Sequence, residues 1–317
     1  MAKIQDSIRE IAEKLLKEKK VDIILGYEKG TLPLRTTPCF VKNPDDVAKL
    51  VWNDCCDIPL SKYLIDMTQK AGVIAKGCDA RSIVVCINEK QIDRDNVVII
   101  GVPCQGIIDR KKIEAELNGK EILEAEVTDD RVLIKGKNFE RTLQKKSYLS
   151  DSCVTCKHRN PPVSDIMVGE KVPEQDQKEE FAEIMKIEAK SPDERWAFFS
   201  KELEKCIRCY ACRNVCPLCY CSECFVDKTM PLWFGKTNDV SDTMIYHIVR
   251  ALHVAGRCVD CGACSRVCPM DINLRALTKK IEKIVKDRFN HEAGLSLEET
   301  PPLGTFKLED TQEFIIE

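Results

Sequence analysis

Histidine is scarce in this chain of 317 residues: there are four, at positions 158, 247, 253 and 291, and none falls inside a cysteine cluster. A metal bound at those clusters would have thiolate ligands alone, which suits iron–sulfur clusters or zinc. Long apolar runs are missing too. The longest, such as Val97–Val102, fall far short of a bilayer's thickness, so no membrane span is expected. The first twenty residues carry Asp6, Glu10 and Glu13 among their apolar positions, which excludes an uninterrupted secretory core. No basic stripe or arginine-rich tract stands out against a net charge of −3 and a pI near 6.0, which argues against a nucleic-acid partner. Gly-x-Gly-x-x-Gly does not occur, and GVPCQG (101–106) is followed by Ile107 where a phosphate loop needs lysine. Neither nucleotide fingerprint is therefore present. The chain reads as a soluble, cytoplasmic protein.

Cysteine, by contrast, is abundant, with nineteen residues. In a cytosolic chain, cysteines gathered in CxxC units point to metal rather than to disulfides. Residues 1–165 read as an α/β domain. Ile4, Ile8, Ile11 and Leu15 mark a helix, VDIILGY a strand closed by Gly26 and Gly30, and Asn43-Pro44-Asp45-Asp46 a helix start. SKYLIDMTQKAG is expected to be a helix ending on Gly72. Two strand-then-helix units follow, VIAKGC with RSIVVCINEKQI and VVIIGVPC with GIIDRKKIEAEL, and their alternation predicts a parallel sheet.

Residues 166–200 read as a charged linker with one solvated helix. It leads into a second helix launched by the capping box Ser191-Pro192-Asp193-Glu194, with Trp196, Phe199 and Leu203 on one face. Residues 201–277 form a cysteine-rich, mainly helical module that includes a helix over SDTMIYHIVRALHVAG. Residues 278–317 supply a C-terminal helix, with Leu277, Ile281, Ile284 and Val285 on one side, and a tail that is either disordered or an arm laid on a partner.

Cys206, Cys209, Cys212 and Cys216-Pro217 spell CxxCxxCxxxCP, and Cys258, Cys261, Cys264 and Cys268-Pro269 repeat it. Three thiolates at this spacing wrap three corners of a 4Fe–4S cube, and the fourth, before proline, turns to the other cube. One cluster is thus assigned Cys206, Cys209, Cys212 and Cys268, and the second Cys258, Cys261, Cys264 and Cys216. Gly262 allows a close backbone approach to the second cube. The zinc alternative would use paired CxxC units without a regular third cysteine or the CP ending. The motifs start far apart for a compact ferredoxin, so the module is an expanded one.

Cys78 and Cys104 each follow a predicted parallel strand, at the carboxyl ends that line the ligand crevice of such sheets. With Cys153 and Cys156 they make four ligands for a third cluster. A redox disulfide at Cys153/Cys156 and buried structural thiols remain the alternatives.

GVPCQG followed by SCVTCKHRNPPVSDIMVGE resembles the β-subunit family of coenzyme F-420 (deazaflavin) hydrogenases and dehydrogenases, which carries a PCQ motif and a later CxxC before an S/A-D-x-x-x-G segment. The resemblance implies one 4Fe–4S cluster, FAD in most members, and electron passage between a deazaflavin or related hydride carrier and partner subunits. CIRCYACRNVCPLCYCSEC and ALHVAGRCVDCGACSRVCPMDI are similar to the iron–sulfur β subunits of formate dehydrogenase, hydrogenase and heterodisulfide reductase complexes. Together the likenesses span roughly residues 70–275. They carry family ligands onto Cys104, Cys153 and Cys156. The family's further cysteine between PCQ and CxxC is absent, leaving Cys78 or Cys56 to replace it.

Cys219, Cys221 and Cys224 follow the first motif as CxCxxC, without the period of a core segment. They read as a further cluster short of one ligand or as free thiols. Counted with Cys56, Cys78, Cys104, Cys153 and Cys156 they make eight, enough for two cubes, one of them bridging the two halves. Cys39, Cys55 and Cys86 are then structural. The expectation is an iron–sulfur electron-transfer subunit of a multisubunit oxidoreductase with two to four clusters, lacking an acid–base constellation of its own. A flavin-dependent subunit acting on a deazaflavin or NAD(P)H carrier is the alternative reading, and a zinc-stabilised scaffold a third.

Overall fold

Short apolar segments that can be buried on both faces set the N-terminal architecture. The computed structural model describes residues 2–175, 180–306 and 308–309. In chain order, the N-terminal part comprises α1 (Ala2–Lys17), β1 (Ile23–Lys29), β2 (Thr36–Val41), β3 (Ala71–Ala75), α2 (Gly77–Asn88), β4 (Val97–Gly101) and α3 (Arg110–Glu116). Then come β5 (Glu124–Val127), β6 (Arg131–Gly136), β7 (Phe139–Gln144), α4 (Asp151–Val154) and β8 (Ile166–Met167). The main sheet runs β2-β1-β3-β4-β8, with β1, β3, β4 and β8 parallel and β2 antiparallel at one edge. Every residue of β3 is buried, as expected of a strand covered on both faces by helices. The apolar stripe of α1, with Ile8, Ala12, Leu15 and Leu16, packs into the same core.

The helix expected over SKYLIDMTQKAG is not formed. Leu60–Leu64 make a single 3₁₀ turn, Asp66 adopts φ 61°, and Gly72 lies inside β3, paired with Ile24 and Val98. A left-handed residue ends a helix, and two flanking strands decide the conformation of the rest. β2 went unread because it contains Pro38, which an edge strand tolerates. The three-stranded antiparallel sheet β5-β6-β7 was also unforeseen; it covers its own small core of Ile113, Ile122, Val132 and Ile134.

The C-terminal part is helical: α5 (Ala182–Glu188), α6 (Pro192–Glu204), α7 (Ala211–Val215), α8 (Val240–His253), α9 (Ala263–Arg266) and α10 (Arg275–Phe289). Ser191 caps α6 as a capping box, its Oγ accepting from Glu194 N at 3.2 Å and the Glu194 carboxylate accepting from Ser191 N at 2.8 Å. That arrangement contributes about 1 kcal/mol. Leu203 is buried on this helix, but Trp196 points to solvent at 63% exposure.

The segment read as a charged linker contributes β8 to the sheet and lays α5 on α10, where Ile184, Ile187 and Ala276 form an apolar cluster. Part of its charge is paired and buried. Glu180 is buried and meets Lys286 at 2.8 Å, Lys157 at 3.4 Å and Lys279 at 3.5 Å. Residues 176–179 of this segment, and the last eight of the tail, lie outside the described residues. The face of α10 buried most deeply is mixed, with Arg275, Ala276, Thr278, Lys279 and Val285, rather than the apolar row expected.

The two halves share one core: Leu218, Val254, Val259 and Ala293 join the apolar cluster of the main sheet. Arg81 of α2 reaches across, donating to Ala293 O at 2.9 Å and Val259 O at 3.2 Å.

Candidate iron–sulfur sites

The two CxxCxxC loops share a backbone shape. Arg208 and Tyr210 have φ 51° and 58°, and Asp260 and Gly262, at the matching motif positions, have φ 53° and 71°. Left-handed residues alternating with others along a tight loop can turn N–H groups toward a common concavity, a shape that receives anionic groups. Arg208 N donates to Cys206 Sγ at 3.4 Å. Cys206, Cys212 and Cys268 belong to one apolar cluster with Leu203, Tyr246 and Ile272, whereas Cys216, Cys258 and Cys261 pack against the sheet-side core. Cys268 thus shares a cluster with two cysteines of the first motif, and Cys216 packs with two of the second, while Cys264 packs against the first cluster. Burial pushes the Cys206 thiol up, and the neighbouring Cys268 and Cys209 add to it. Cys264 is raised by burial and by Cys216. Among the described residues no three cysteine, histidine or carboxylate groups converge as they would on a single ion; a mononuclear zinc site draws all its thiolates to about 2.3 Å from one point.

α8 supplies three side chains that sequence reasoning missed. Tyr246 Oη lies 3.5 Å from Cys212 Sγ, His247 Nε2 lies 3.3 Å from Cys206 Sγ, and Arg250 donates to Cys212 O at 2.9 Å. Their spacing on one helical face was a signal available in the predicted helix. Burial, then Arg250 and Arg208, bring the His247 pKa down to about 3, so a neutral ring faces the sulfur. Arg250 is 5% exposed and pairs with no carboxylate among the described residues. The groups that most favour its charge are Cys264, Cys216, Cys219 and Cys212. A buried guanidinium without a counter-charge costs several kcal/mol. Thiolate-bound clusters carry negative charge, and the donors around Arg250 fit such a group.

A second cavity gathers the N-terminal thiols. Cys78 stands in the first turn of α2, directly after β3; Cys104 follows β4; Cys153 lies in α4 and Cys156 just beyond it. All four line one cavity. Gly77 is required here because a Cβ would fall on the carbonyl oxygen of His158, two residues past Cys156. Gly106 N donates to Cys104 Sγ at 3.4 Å and Ile107 N to Cys153 Sγ at 3.3 Å. Burial pushes Cys78 up to about 12, Cys156 up to about 11, and Cys104 well above its ordinary value. Loading metal onto such thiols releases protons. The far wall is Val259, Asp260 and Cys261 of the second ferredoxin motif. Gly262 lets that wall close, since a Cβ there would fall on Ser152 Oγ. Cys56, the other replacement weighed for Cys78, is 1% exposed in the apolar core and does not line this cavity.

Cys219, Cys221 and Cys224 line a different space, a cleft of about 720 Å³ between the first-motif loop and α8. No N-terminal cysteine lines it. Cys39, Cys55 and Cys86 are buried in the N-terminal half.

No helix among the described residues is long and apolar enough to cross a membrane. Residues 202–272 match the 4Fe-4S dicluster domain family. The chain is 27% identical to the F420-dependent formate dehydrogenase subunit beta of Methanocaldococcus jannaschii, over 91% of each chain. It is 26% identical to the F420-dependent formate dehydrogenase 1 subunit beta of Methanococcus maripaludis, over 92% of this chain and 90% of that one. A chain of the F420-reducing NiFe hydrogenase complex of Methanosarcina barkeri aligns with a TM-score of 0.40 and 14% identity, covering 65% of this chain and 86% of that one.

Proposed function

We propose that this chain, a relative of formate dehydrogenase β subunits carrying a 4Fe–4S dicluster domain, is the iron–sulfur electron-transfer subunit of a multisubunit oxidoreductase. Its partners are then a catalytic subunit of the formate dehydrogenase type and a further redox protein. One cluster takes Cys206, Cys209, Cys212 and Cys268, the second Cys258, Cys261, Cys264 and Cys216, and a third Cys78, Cys104, Cys153 and Cys156. When bound, such clusters accept and release single electrons. The observation that carries the reading is the shared wall: Cys261 lines the cavity of the four N-terminal thiols.

The side chains order this relay. Cys261 stands between the N-terminal and second sites, and Arg250 between the second and first. Cys209 is exposed, so the first site has a thiol at the surface where a partner can dock. N–H groups, the neutral His247 ring and the Tyr246 hydroxyl contact sulfurs, the means by which a protein tunes cluster potentials.

Replacing Cys104 with serine tests the third site. Anaerobically prepared chain should lose about four irons with its ferredoxin-type EPR signals intact, whereas Cys56→Ser should lose none. Equal iron in the Cys104 variant and the parent would remove the N-terminal cluster.

The flavin reading has one feature in its favour. A groove of about 320 Å³ runs on the other side of the PCQ loop, lined by Trp52, Lys76, Pro103, Gln105, Lys145 and Lys171. That volume is at the lower end for ligand sites, and fits a ring system more readily than a whole dinucleotide. Flavin absorbance released on denaturation would support this reading.

A further inference from the structure

Cys219, Cys221 and Cys224 are ligands of none of the three sites above. We infer that the cleft they line is a fourth iron–sulfur site, held by those three thiols, with one iron that has no protein sulfur and faces the cleft.

Three observations converge. The thiols sit within six residues on an irregular loop, and all three line one space of about 720 Å³. No fourth cysteine lines it, and among the described residues no three donors converge on a single ion. Three thiols without a fourth leave one corner of a four-iron cube without a protein ligand.

The second observation is charge. Lys62, Arg213, Arg250 and Arg257 line the cleft against the single carboxylate of Asp227. Arg213 is paired with Asp227 at 2.9 Å, and Arg257 with Glu89 at 2.6 Å. Lys62 and Arg250 have no carboxylate partner among the described residues, and the buried Arg250 Nε makes no hydrogen bond. A cleft lined by more cations than carboxylates, one of them a buried guanidinium with a free Nε that the cleft shares with the ferredoxin thiols, suits an anionic occupant, and a thiolate-ligated cluster is one.

Third, Cys219 N donates to Cys216 O at 3.2 Å, so the cleft abuts the second ferredoxin set. A cluster there would stand beside the relay, its open iron exposed to small anions that the cations attract.

The inference rests on the chain being an iron–sulfur protein, and the experiment separates the two. The full chain and a Cys221→Ser/Cys224→Ser double variant are reconstituted anaerobically and assayed for iron, zinc and acid-labile sulfide. Cys221 is exposed and Cys224 partly so, and the ferredoxin EPR signals report folding in both. The variant should lose about four irons. Brief ferricyanide oxidation of the parent should release the open iron as Fe²⁺ and leave a three-iron EPR signal that the variant lacks. Equal iron in the two chains, or zinc at the trio, overturns the inference. A parent with ferredoxin iron that the double variant leaves unchanged sinks this inference alone; a parent without iron sinks the proposed function.

Discussion

Arg250→Gln removes a charge from among the ferredoxin thiols while keeping most of the side chain's bulk. Reduction adds one negative charge to a cluster, so a fixed cation nearby favours the reduced state and raises the potential. The guanidinium touches the Cys212 carbonyl at 2.9 Å. At an effective dielectric of 20, a unit charge about 8–10 Å from a cluster is worth about 1.7–2 kcal/mol. For a one-electron couple, with 59 mV for each tenfold change, this is about 70–90 mV. Potentiometric titration of the whole chain, followed by EPR, should show both ferredoxin clusters falling by about that amount, and Arg250→Lys should retain most of the wild-type potential. His247 cannot compensate, because burial and its arginine neighbours keep it neutral. Potentials that stay put, or rise, would refute the assignment of Arg250 as the buried counter-charge.

Gly262→Ala should loosen the wall between the halves. An alanine at φ 71° costs about 1–2 kcal/mol, and displacing Ser152 from the Cys261 carbonyl brings the total to about 2–3 kcal/mol. The loaded variant should melt earlier, with Ser152→Gly restoring part of the loss; a variant without any loss speaks against close packing there. Acid should free the strap formed by α5. Against the cost of burial, Lys286, Lys279 and Lys157 hold Glu180 below the usual carboxylate range, and His158 and Lys157 do the same for Glu292. Their folded pKa values are depressed, so this stabilisation is present in full above the ordinary carboxylate pKa and fades as pH falls through the folded values. Cleavage by an acid-active protease between residues 170 and 190 should be slow at pH 6 and faster near pH 3; rates that do not change would show that the ion pairs do not hold the strap.

What could be read from the sequence was local. Spacing along two loops singled out the eight CxxCxxCxxxCP cysteines, and strand-end position placed Cys78 and Cys104 at the carboxyl ends of neighbouring parallel strands. Choosing between Cys78 and Cys56 needed the third dimension, because both follow short apolar stretches and only the turn into α2 carries a thiol to the cavity. The charged stretch after residue 170 looked solvated because its partners, Lys279 and Lys286, lie about a hundred residues away on α10. Tyr246, His247 and Arg250 were visible as a helix but not as neighbours of sulfur. The trio after Cys216 was seen as unusual, yet its separation from the N-terminal thiols depends on how the loop folds over α8.

The shared wall also bears on the order of synthesis. Ser152 precedes Cys261 by 109 residues. At about 5–20 residues per second, the ribosome takes roughly 5–20 s to supply that wall after the four N-terminal thiols have emerged. During that interval the half-built site is open to solvent and to oxidants. A metal group held there would therefore enter only once the C-terminal module has docked, and truncated translation would leave the four thiols without that wall.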